Sequence, residues 1–174
     1  MRKTTLAVAL LAAAAPLPPV SAFAASLDAK DKTFVEEAAH GGAAEVEMGK
    51  LASQKADNPS VKQFGQRMVQ DHEQANQKLM AAMKGKTDGE LPTKPNEKQQ
   101  KEMQELQGMS GGKFDQAYMR TMIQDHVKDV EEFQRASKEA KDPEVKRFAE
   151  QTLPILQEHL KMARQVGSDV GVRG

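Results

Sequence analysis

The chain has 174 residues with 25 basic and 25 acidic side chains, four histidines, one tyrosine and neither cysteine nor tryptophan. Zero net charge without a polybasic cluster speaks against nucleic acid and anionic membrane as partners, and the lack of cysteine excludes disulfides and thiolate metal ligands. Abundant Ala, Glu, Lys, Gln and Met, with 4% aromatics, favour helix over strand, so the expected fold class is all-α.

Residues 1–24 read as a secretory signal: basic Arg2 and Lys3, an apolar run from Leu6 to Ala15, and the small-residue exit Ala22-Phe23-Ala24. The apolar run is too short to span a bilayer and is broken by Pro16, Pro18 and Pro19. Cleavage near Ala24 predicts an exported, periplasmic protein with net charge −2 and no membrane span.

Residues 28–168 are expected to form a single helical-bundle domain. Hairpin one, 28–84, is interrupted at "DNP" (57–59), and hairpin two, 112–166, at "KDP" (141–143). Each proline suits the first position of a helix, where its missing N–H has no intrahelical partner. Displacing residues 31–64 by 84 positions superposes ten identities, among them Asp31/Asp115, Ala56/Ala140, Pro59/Pro143 and Phe64/Phe148, the mark of an internal duplication. The connector, 85–111, is polar and opened by Gly85, Gly89, Pro92 and Pro95, with a short helix expected over about 96–106. It is long enough to run the length of the bundle, which permits a crossover as well as up-down-up-down order. Residues 167–174 read as a flexible tail.

The apolar stripes follow the bundle spacing of three and four. The first helix carries Phe34, Ala38, Gly41, Glu45, Met48 and Ala52, and the second Val61, Gly65, Met68, His72, Ala75 and Leu79. The helices of hairpin two carry Met119, Ile123, His126, Val130 and Phe133, then Val145, Ala149, Thr152, Leu156, His159, Ala163 and Val166. Each stripe has one ionisable member, and three are histidines of "QDH" or "QEH". Glu45 and His72 each lie 13.5 positions from the first turn, and His126 and His159 each 16.5 from the second, so each pair shares a level. Glu45, His72, His126 and His159 are therefore candidate ligands of one transition-metal ion (Zn, Cu, Fe or Mn), with Asp71, Asp125 and Glu158 as orienting groups beside the rings. The competing reading is a metal-free structural or stress-related interaction protein whose buried His/Glu network only sets helix packing. Lesser features are a thioether and imidazole face at Met119, Met122 and His126 that suits Cu(I), a surface position for His40, a core position for Tyr118 with its hydroxyl satisfied, and a kink at Pro154 just before His159.

The stretches "FVEEAAHGGAAEVEMGKLASQKADNPSVKQFGQRMVQDHEQAN", "FDQAYMRTMIQDHVKDVEEF" and "DPEVKRFAEQTLPILQEHLKMA" resemble the bacterial exported domain-of-unknown-function family 4142, of the ferritin-like superfamily. The resemblance implies a four-helix core, made here of two duplicated hairpins, and no established activity. A carboxylate-bridged di-iron centre requires Glu-x-x-His on two helices. Val69, Ile123 and Leu156 occupy the places of those glutamates, although Glu45, Asp129 and Glu132 leave room for an irregular site. No Ser-His-Asp order or phosphate loop is present, so a non-enzymatic role is expected, and a monomer or weak homo-dimer.

Overall fold

The computed structural model describes residues 26–172; the expected signal segment, 1–24, lies outside them. Five helices and no strand are found among the described residues: α1 (Ala29–Lys55), α2 (Pro59–Ala82), α3 (Glu97–Gln107), α4 (Gly111–Glu139) and α5 (Pro143–Asp169). None is long and apolar enough to cross a membrane.

The ends of the helices follow local chemistry. Asp28, Asn58 and Asp142 each accept a backbone N–H of the first turn that follows, and Pro59 and Pro143 open their helices. Asn96 and Gln99 form a reciprocal capping box that starts α3 inside the polar connector. α5 runs unbroken through Pro154 to Asp169, beyond the boundary read at Val166. Gly171, at φ +84°, then turns the chain back so that the Val172 N–H bonds the Gly167 carbonyl at 2.8 Å and its side chain enters the core.

Two aspartates set the topology. Asp115, at the start of α4, accepts the backbone N–H groups of Asp57 (3.2 Å) and Asn58 (2.8 Å) in the turn of the first hairpin. Asp31, at the start of α1, accepts those of Lys141 (3.0 Å) and Asp142 (2.7 Å) in the turn of the second. α4 therefore begins at the end of the bundle where α1 finishes, and the chain must cross the full length between α2 and α4. At the near end Lys86 bonds Asp142 at 2.7 Å, and at the far end the Lys55 ammonium reaches the Gln107 carbonyl. The order is a crossover rather than up-down-up-down, with α3 lying in the crossing segment.

α1 and α2 approach so closely that a Cβ at Gly49 would stand 2.7 Å from the Gly65 carbonyl, and one at Gly65 2.8 Å from Ala52 Cβ. α1 is buried over a wider arc than its stripe predicts: Val35, Ala39 and Gly42 lie deeper than Phe34, Ala38 and Gly41 in its first half. The reason is that it packs against α2 on one side while facing α4 and α3 on the other.

The core falls into two apolar clusters. One gathers Met48, Phe64, Met68, Phe114, Tyr118, Met119 and Met122 near the first turn, and the other Val35, Leu79, Phe133, Phe148 and Leu156 near the second. Between them lie Glu45, His72, His126 and His159, all buried.

Candidate metal centre

α2, α4 and α5 each deliver one histidine to the polar layer because each places it on the seam between apolar neighbours one turn away. The rings form a nearly equilateral triangle, with centroids 5.8 Å apart for His72 and His126 and 5.4 Å for each of the other two pairs. One nitrogen from each ring lies within 4.8 Å of the other two.

Hydrogen bonds outside the triangle decide where the protons sit. His126 Nδ1 is 2.8 Å from the Met122 carbonyl, which can only accept, so Nδ1 carries the hydrogen and Nε2 the lone pair. His159 Nε2 is 2.8 Å from Asp71 Oδ2, which likewise leaves the lone pair on Nδ1. His126 Nε2 and His159 Nδ1 face each other at 3.4 Å. In the neutral rings two lone pairs are thus directed at one small space, while His72 Nε2 is buried without a partner. Asp71 is itself held by Arg67, one turn earlier on α2. Burial pushes Asp71 upward, but the bonds from Arg67 and His159 outweigh it and keep the carboxyl below its usual range.

Burial likewise disfavours imidazolium. His126 is brought down to about 4 by burial and by His159. His72 is pushed well below its ordinary value by burial and by the other two rings. In His159 burial also wins, against the opposing pull of Asp71. At neutral pH the triangle consists of neutral rings, the form that ligates metal.

The remaining candidates are distributed unevenly. Glu45 Oε1 lies 3.7 Å from His126 Nδ1, on the side of that ring away from His159, and neither carboxylate oxygen has a hydrogen bond. Burial, then Asp125 and Asp129, raises Glu45 well above its ordinary value. Asp125 is half-buried, lines a cavity beside α3 together with the buried Glu45 and the half-buried Asp129, and bonds no imidazole; burial and Glu102 raise it to about 6. Asp129 is raised to about 7 by burial, Asp125 and Glu132. Glu158 faces solvent on α5. One expectation needs correction: the Tyr118 hydroxyl is buried and unpartnered rather than satisfied. His40 lies partly exposed on α1, its Nδ1 tying that helix to the Lys94 carbonyl of the connector at 2.7 Å.

Arg67 and the Met122 carbonyl went unnoticed in the sequence. The spacing of four between Arg67 and Asp71 marks a helical ion pair, but nothing in it points to His159 on another helix.

The family described as a domain of unknown function, DUF4142, matches residues 16–166. Comparison with curated proteins returned no match. Among solved structures, CopM in a Cu(II)-bound form superposes with a TM-score of 0.67 at 17% identity, covering 80% of this chain and 96% of that one. CopM in an Ag-bound form gives 0.66 at 18% identity over the same shares. A DUF305 protein of Streptomyces coelicolor, described as secreted by inference, gives 0.67 at 14%, covering 84% and 96%. At these identities the likeness establishes a shared helical-bundle fold.

Proposed function

The chain belongs to the DUF4142 family, and from that premise we propose that it is an exported metal-binding bundle whose three buried imidazoles, His72, His126 and His159, hold one transition-metal ion. The observation that carries this reading is the pair of lone-pair nitrogens facing each other at 3.4 Å, each fixed by a hydrogen bond on its far side. A tetrahedral ion with nitrogen bonds of about 2.0–2.1 Å separates its ligands by about 3.4 Å. Metal-bound histidines commonly donate their other N–H to a carboxylate or a carbonyl, the parts that Asp71 and Met122 take here. Three neutral nitrogens suit a borderline ion, and copper is the first to test, because CopM shares the fold and has been solved with Cu(II) and with Ag.

Export rests on the signal-like residues 1–24 and agrees with the inferred secretion of the DUF305 neighbour. The reciprocal Asp31 and Asp115 bonds support a ferritin-like order of two duplicated hairpins.

The same geometry allows a metal-free layer in which a protonated His159 bridges Asp71 and His126. Copper and zinc titrations of the mature chain, beside a His72→Ala, His126→Ala variant, separate the two. Stoichiometric uptake by the parent and none by the variant is expected; a parent that takes up neither ion would leave a polar layer that only sets helix packing.

A further inference from the structure

A cavity of about 70 Å³ opens on the flank of the bundle where α3 crosses α1 and α4. Glu45 lines it from α1, 2% exposed and with both oxygens unpartnered. Asp125 and Asp129 line it from α4, one helical turn apart, a spacing at which like charges repel. The two lysines of the cavity wall are paired with glutamates of the same wall, Lys98 with Glu102 at 3.5 Å and Lys128 with Glu132 at 3.7 Å, and neither makes an ion pair with Glu45, Asp125 or Asp129. Three carboxylates from two helices thus share one partly enclosed space with no side-chain cation bridged to them.

Desolvating carboxylates without a counter-charge is costly, and a cation in the cavity would remove that cost. The donors are all oxygens, since the nearest imidazole nitrogen, His126 Nδ1, is committed to the Met122 carbonyl. A volume of this size, several times the roughly 10–15 Å³ that a single water requires on the same measure, accommodates an ion with one or two waters. Hard divalent ions favour that combination of carboxylate and retained water. We propose that Glu45, Asp125 and Asp129 form a second cation site, selective for hard divalent ions of the magnesium and manganese class. It lies behind His126 and is chemically separate from the imidazole triangle, so it does not depend on copper or zinc binding there.

Mn(II) titration of the mature chain at neutral pH, with free ion followed by electron paramagnetic resonance, tests the site. The parent is expected to bind one Mn(II), and Asp125→Asn, Asp129→Asn to bind it at least tenfold more weakly. His72→Gln, which removes one ring of the triangle, is expected to leave Mn(II) affinity within about threefold of the parent. The asparagines are isosteric, occupy half-buried positions and relieve repulsion, so the double variant retains the fold. Undiminished Mn(II) binding in the asparagine variant, its loss in His72→Gln, or no Mn(II) uptake by the parent at millimolar ion would each overturn the proposal. Failure of the triangle reads out separately, as absent copper uptake.

Discussion

Tyr118 and Asp71 illustrate opposite uses of a buried polar atom. The Tyr118 hydroxyl has no partner in a core of Phe64, Phe114 and Met119, and burial together with Glu45 pushes its ionisation well upward. An unsatisfied buried hydroxyl costs about 1–3 kcal/mol. Tyr118→Phe is therefore expected to raise stability by about 1 kcal/mol, read as a higher urea midpoint with unchanged slope; a fall of that size would show that the hydroxyl is bonded after all. Asp71 is fully engaged, between Arg67 and His159. Asp71→Asn weakens the hold on the His159 tautomer and should lower copper affinity about 10–100-fold, measured by competition with a chelator. An unchanged affinity would remove His159 from the ligand set.

At the scale of elements, the bundle is closed by exchange: each hairpin supplies the aspartate that ties the other's turn. Replacing Asp115 with alanine leaves two turn N–H groups without their charged acceptor, and charged hydrogen bonds contribute about 1.5–3 kcal/mol each. Asp115→Ala is expected to cost about 3 kcal/mol, Asp31→Ala a similar amount, and the two together nearly the sum, because they act at opposite ends of the molecule. Denaturant unfolding of the two single variants and the double measures this, and strong non-additivity would mean that the ends communicate. The identity of Asp31 and Asp115 was visible in the 84-residue displacement. Their exchange between hairpins was not, since local spacing cannot say which turn an N-terminal side chain will meet. Likewise, Gly65 could be placed on the stripe of α2, but only the neighbouring helix reveals that its missing Cβ lets the Gly49 backbone approach.

Across the whole molecule, the polar layer carries two sets of groups whose protonation opposes. The histidines ionise less readily folded than unfolded, so the unfolded chain binds more protons between about pH 4, where folded His126 titrates, and 6.5. They make stability fall as pH drops through that window. Glu45, Asp125 and Asp129 are shifted upward, so over much of the same range the folded chain holds the extra protons, and stability falls as pH rises toward about 7. The metal-free protein should accordingly show a shallow stability profile from pH 4.5 to 6.5. Asp125→Asn, Asp129→Asn removes two of the three opposing carboxyls, leaving Glu45, and should tilt the profile so that stability climbs with pH, each unbalanced proton adding about 1.4 kcal/mol per pH unit. Urea midpoints across that range check the slope, and parallel profiles would refute the opposition.

The sequence by itself determined the helical class, both hairpin turns and the burial of one histidine on each of α2, α4 and α5, because periodic apolar spacing and capping residues act within a single helix. Tertiary structure decided how those helices face one another. It chose the crossover order through bonds between hairpins, set Glu45 on the far side of His126 instead of inside the triangle, and joined Asp71 on α2 to His159 on α5. A level along a helix follows from counting residues, whereas the rotation of one helix against its neighbour depends on side-chain volumes at every contact, and that rotation determines which ring nitrogens meet.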